Sequence, residues 1–163
     1  MKTLRIVLAG FVAVTIMALS IVVNTAQNNR GGENALLGSW KVRLTPVNPP
    51  QPQFDELITF TPGGGIVESN NYPFFQMGLT AGPGHGTWDF SGHRSFKFTF
   101  IKILYTQGGA AAGTLKATRE IVYSQSDDTW AGPATVSICN AQVENCSVIG
   151  TTEGQATRIG AAV

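Results

Sequence analysis

From residue 36 onward, apolar and polar residues alternate in short runs broken by turn residues, and no stretch repeats apolar residues at helical spacing. Ser39–Thr45 sets Trp40, Val42 and Leu44 against Lys41, Arg43 and Thr45. Phe54–Thr61 runs into Pro62-Gly63-Gly64-Gly65, a strong turn signal, and Ile66–Ser69 returns. Gly86–Phe90 precedes Ser91-Gly92. Ser95–Tyr105 is the clearest strand: Phe96, Phe98 and Phe100 share one face, and Ile101, Ile103 and Tyr105 the other. That change of face predicts a bulge near Phe100 or a strand apolar on both sides. Thr114–Ser124 puts Leu115, Ala117, Arg119, Ile121 and Tyr123 together, Thr129–Cys139 does the same for Trp130, Ala134, Val136 and Ile138, and Ser147–Ile159 closes the chain. The pattern predicts an all-β domain over residues 36–163, a single antiparallel barrel of about eight strands. Closure is favoured because long strands without covering helices otherwise leave open edges; an open sandwich is the alternative.

The first 26 residues follow a different rule. Lys2 and Arg5 precede an uncharged apolar run of 18 residues, Ile6 to Val23, and small residues crowd its end at Ala18-Leu19-Ser20 and Thr25-Ala26. This is the pattern of a signal peptide, with an uncleaved anchor as the alternative because the run just reaches spanning length. The polar, Gly-rich residues 27–35 are expected to be a flexible linker. The expected location is secreted or periplasmic.

Charge narrows the partners. Eleven Lys and Arg against ten Asp and Glu leave no basic footprint for nucleic acid, and membrane attachment is expected only through an uncleaved leader. Nineteen Gly and eight Pro speak against a helical bundle. Cys139 and Cys146 enclose a short segment and are expected to pair in an oxidising compartment. Asn145-Cys146-Ser147 matches a glycosylation sequon, which acts only in a eukaryotic secretory pathway.

The three tryptophans each follow a small residue at a strand start: Gly38-Ser39-Trp40, Gly86-Thr87-Trp88 and Thr129-Trp130. The first resembles the Gly-x-Trp signature of lipocalins and related calycin barrels. In that family the Trp closes one barrel end and an Arg from the last strand stacks across it, which implies that role for Arg158 in Thr157-Arg158-Ile159. No Thr-Asp-Tyr motif follows in the middle of the chain. Allene-oxide-cyclase-like and dirigent-like barrels are similar in size and in their Gly-rich pattern.

Candidate chemistry is sparse. There is no nucleophile elbow and no phosphate-binding loop, and no cofactor or metal is expected. His85 and His93 lack partners at metal spacing and are expected to be exposed turn residues. Glu56 shares a face with Phe54, Ile58 and Phe60, and Arg119 with Leu115, Ala117, Ile121 and Tyr123, so both charges are expected to point into the barrel. A buried charge must be paired or meet a ligand. Asn70–Gly86, with Tyr72, Phe74, Phe75 and Met77, reads as the longest loop, a lid or a plug over the barrel mouth. Asn48–Gln53 reads as a stiff, proline-rich connector. The candidate ligand-contacting residues are therefore Glu56, Tyr72, Phe74, Phe75, Trp88, Phe98, Arg119 and Tyr123, around a small apolar or amphipathic molecule. A cofactor-free cyclase or isomerase, and a structural protein with a self-filled barrel, are the alternatives. Small residues at Ala117, Gly132, Ala134, Gly150, Gly154 and Ala156 favour a cavity, and Thr99 belongs to the same set.

Overall fold

The structure, a computed structural model, describes residues 32–160. The expected leader, and residues 27–31 of the expected linker, lie outside the described residues; residues 32–34 form a helical turn. Beyond it the chain runs through eight strands: β1 (Gly38–Asn48), β2 (Phe54–Phe60), β3 (Gly65–Asn70), β4 (Leu79–Gly92), β5 (Ser95–Thr106), β6 (Ala111–Ser124), β7 (Thr129–Cys139) and β8 (Ser147–Arg158). Each strand pairs antiparallel with the next, and β8 pairs with β1 to close the barrel. Among the described residues no sheet edge is left open.

The period-two pattern decides which side chains enter. Trp40, Val42 and Leu44 on β1, Ile58 and Phe60 on β2, Phe96, Phe98 and Phe100 on β5, and Leu115, Ala117, Ile121 and Tyr123 on β6 are all buried. β5 keeps one unbroken alternation through Phe100, with Lys102 and Leu104 continuing the inner row and Ile103 half exposed outside. There is no bulge at Phe100; the strand is apolar on both sides, and the register shifts lie between Ala81 and Gly84 and between Phe90 and Gly92 on β4, and between Leu104 and Tyr105 at the end of β5. Thr99 faces outward, where its hydroxyl meets that of Thr118 at 2.9 Å.

β4 also corrects the expected loop. Leu79–Gly86 is strand, which shortens the connection to residues 71–78 and its 3-10 turn, Phe74–Met77. The glycines and proline that suggested a loop have a different task here. Pro83 sits in the shift between Ala81 and Gly84, where its missing N–H breaks no ladder bond. A side chain at Gly86 would collide with the carbonyl of Thr99, so glycine is what lets β4 lie against β5 there.

Up-and-down topology sorts the connections to two ends. The β1–β2, β3–β4, β5–β6 and β7–β8 connections share one end, called the mouth below, and the other three connections share the opposite, closed end with the start of β1 and the end of β8. The closed end is filled with aromatics. Phe60 meets Phe98 at 5.2 Å, Trp88 at 6.1 Å and Trp130 at 6.5 Å between ring centroids. Trp40 meets Tyr123 at 6.2 Å and Trp130 at 6.3 Å. These separations are those of favourable edge-to-face and tilted pairs.

Register places the cap on this end. Trp40 lies directly opposite Arg158, and the guanidinium stands 4.1 Å from the indole centroid. Arg158 Nε donates to Asp128 Oδ2 at 2.7 Å, Nη2 donates to the carbonyl of Ala35 at 2.6 Å, and Nη1 donates to the carbonyl of Leu37. Trp40 Nε1 donates to the carbonyl of Leu36 at 2.8 Å. Two aromatic and cationic side chains thus hold the incoming backbone across the barrel end.

Candidate functional site

Toward the mouth the inward residues shrink and the barrel is hollow. A cavity of about 430 Å³ opens there. Leu44, Phe100, Leu104, Leu115, Val136 and Ile138 make its walls. The Asn48–Gln53 connector and the β3–β4 connection form its rim, and Tyr72 Oη ties them by donating to Gln51 Oε1 at 2.7 Å. A volume in this range, with apolar walls and few polar groups, is that of a small-molecule site.

Its charged groups come from the barrel interior. Glu56 and Arg119 both line the cavity, 1% and 3% exposed. They do not pair: no carboxylate lies within ion-pair distance of Arg119 among the described residues. Arg119 reaches across Ala134, its neighbour on β7, to donate to Thr152 Oγ1 at 3.3 Å, and donates to the carbonyl of Gly132 at 3.1 Å. Its Nε is buried without a partner, as is Glu56 Oε2. The guanidinium lies 5.9 Å from the Trp130 ring, so Arg119 marks the boundary between the filled and the hollow half. Gly154 makes room for it, because a side chain there would collide with the guanidinium.

Two charged residues that the sequence reading passed over complete the interior. Lys102 and Glu68 are as buried as Glu56, and Lys102 Nζ lies 3.0 Å from Glu68 Oε2 and 3.2 Å from Oε1. They stand on β5 and β3 with Gly84 of β4 between them in one cross-strand row. A Cβ at Gly84 would stand 2.5 Å from Glu68 Oε2, so glycine opens the path for this ion pair. Asn70 Nδ2 also donates to Glu68 Oε1, at 2.9 Å. The signal was present: Lys102 continues the Phe96, Phe98, Phe100 row, and Glu68 follows Ile66 by two positions.

Burial dominates the protonation of these acids. Loss of water pushes the Glu56 carboxyl up to about 8, against the pull of Arg119 and with a further push from Glu68. Glu68 is also raised by burial, while Lys102 draws it back. Burial lowers Arg119, but a guanidinium stays charged. The interior therefore holds a Lys102–Glu68 pair, a Glu56 whose burial favours the neutral acid, and an Arg119 cation with no carboxylate partner among the described residues.

No protein-family model and no curated protein matches the chain.

The expected ligand contacts divide. Glu56, Tyr72, Phe74 and Arg119 line the cavity. Trp88, Phe98 and Tyr123 do not: they point inward as expected but pack into the aromatic plug at the closed end. Phe75 points away from the cavity and is 67% exposed at the rim. The β3–β4 aromatics thus split, with Tyr72 stacked edge-on between Phe54 and Phe74. His85 is exposed on β4, within a strand rather than a turn, and His93 is exposed in the β4–β5 turn. Cys139 and Cys146 form a disulfide that closes the β7–β8 connection at the mouth. Among the described residues no three metal-ligating side chains come together, and no helix is long and apolar enough to cross a membrane.

Proposed function

We propose that this protein is an exported barrel that holds a small, mostly apolar molecule in the cavity at its mouth. The observation that carries this is the unfilled, apolar-walled space of about 430 Å³ ending on Arg119 and Glu56. A barrel that served only as a scaffold would gain by filling that space, as the closed half is filled. The Arg158–Trp40 stack supports a lipocalin-like organisation of the closed end, and the Cys139–Cys146 bond together with the sequence of the first 26 residues supports export into an oxidising compartment. A second function, cofactor-free cyclisation or isomerisation, draws support from Glu56: a carboxylic acid still protonated at neutral pH inside an apolar cavity is a proton donor.

Native mass spectrometry of gently purified protein tests the binding. A co-purifying mass of a few hundred daltons, released on unfolding, is the expected result. A bare protein mass together with no uptake of the uncharged apolar dye N-phenyl-1-naphthylamine would overturn it. Turnover that is lost in Glu56→Gln while binding survives would favour the enzymatic function.

A further inference from the structure

We propose that the molecule held in the cavity carries one anionic head group, a carboxylate, that docks inward on Arg119. The inference rests on the cavity being a binding site and names the chemical class of its occupant.

Charge balance points to an anion. A buried cation is stabilised by a counter-charge, and removing that counter-charge leaves a large desolvation penalty. Arg158 and Lys102 each have a carboxylate at 3.0 Å or less; Arg119 has a backbone carbonyl and a threonine hydroxyl. Glu56 lines the same cavity but forms no ion pair with Arg119, and burial raises its carboxyl. Glu68 is committed to Lys102. Hydrogen bonding points the same way. The buried Nε–H of Arg119 has no acceptor, and it lies in the wall of the cavity. A carboxylate supplies one charge and acceptor oxygens, which matches one guanidinium with a free N–H. A phosphate dianion would need a second free cation, and Lys102, the other fully buried cation among the described residues, is already neutralised. The walls beyond these groups are mostly hydrocarbon, with Asn48, Gln51 and Asn70 toward the rim, so the remainder of the molecule is mostly apolar. Together these describe a monocarboxylic acid with an apolar body, head group toward the barrel centre and body toward the mouth.

Displacement of N-phenyl-1-naphthylamine from the purified full-length protein reads this directly, with dodecanoate and dodecan-1-ol compared at pH 7 below their micellar concentrations. Dodecanoate is expected to displace the dye at concentrations about tenfold or more below those of the alcohol, the range of a charge-assisted pair. Arg119→Met is expected to erase that preference while dye uptake continues. Gly154→Ala keeps the charge but displaces the guanidinium, so it lowers the preference and serves if Arg119→Met does not fold. Equal displacement by acid and alcohol overturns the anionic head group and leaves the cavity as a binding site. Absence of dye uptake overturns both.

Discussion

Arg158 and Arg119 both approach a tryptophan inside the same barrel, yet their surroundings differ. Arg158 has a carboxylate, two backbone carbonyls and the Trp40 face at 4.1 Å. Arg119 has one carbonyl, one hydroxyl, a more distant Trp130 ring and an unpartnered Nε. The same contrast holds around them: aromatic rings pack the closed end edge to face, while alanine, glycine and threonine line the interior near Arg119. One end is complete within the chain and carries stability. The other leaves space and hydrogen-bonding capacity unmet, which is what the proposed binding site rests on.

Removing the plug has the largest expected effect. Trp40→Ala takes a fully buried indole from beneath Arg158 and is expected to cost about 3–5 kcal/mol in urea unfolding. Dye uptake at the mouth should survive in the fraction that folds. A loss below about 1 kcal/mol would mean that the closed end does not carry the fold.

The next effect separates the ends by pH. Unfolded, Glu56 releases its proton near 4.5; folded, it keeps it to about 8. Between those values the unfolded chain binds fewer protons, so stability falls as pH rises through the window and levels off above it. One proton sets the slope at no more than about 1.4 kcal/mol per pH unit. Glu56→Gln should lose this component, so its advantage over the native chain grows from pH 5 to pH 8. Parallel stability curves for the two proteins would show that Glu56 is not held neutral. At the closed end the sign reverses: Arg158 beside Asp128 lowers that carboxyl, so its contribution is lost only on acidification.

The disulfide is the mouth's own reinforcement, since that end lacks a packed core. Reduction, or Cys139→Ser with Cys146→Ser, is expected to cost about 2–3 kcal/mol by loop-closure entropy. Calorimetry with and without reductant measures it, and an unchanged melting temperature would show that the rim is held by Tyr72–Gln51 and the strands alone.

Alternation made the strands, the closure and the inward direction of Glu56 and Arg119 legible in the sequence, because each rests on a period of two that tertiary packing did not override. Three features were not legible, for physical reasons. Which inward residues meet the cavity depends on height along the barrel, so Trp88, Phe98 and Tyr123 share a direction with Arg119 but not a place. Leu79–Gly86 reads as loop from composition, whereas its glycines serve close approach: Gly86 to Thr99 and Gly84 to the Glu68–Lys102 pair. Lys102 and Glu68 lie in otherwise apolar inner rows on different strands, and only register brings them together. Gly84 lies one strand from Glu68 and Gly154 two strands from Arg119, and each glycine leaves the room that a buried charged side chain occupies, a pattern that becomes visible once pairing is known.

The smallest expected change in stability is also the sharpest test of the hollow half. Ala117 lines the cavity, opposite Phe100 and Val136, and Ala156 lies in the filled half, opposite Val42 and Trp130. Both are buried alanines on inner rows, so sequence alone treats them alike. Ala156→Phe forces a ring into close packing and is expected to cost about 1–3 kcal/mol or more. Ala117→Phe has empty volume to enter and should change stability by less than about 1 kcal/mol, because its apolar burial offsets what strain remains. It should nevertheless abolish dye uptake, since the new ring occupies the space that the dye would use. If Ala117→Phe destabilises as much as Ala156→Phe, the mouth is as tightly packed in solution as the closed end. If it is silent in both stability and uptake, the dye binds elsewhere and the cavity is not the site.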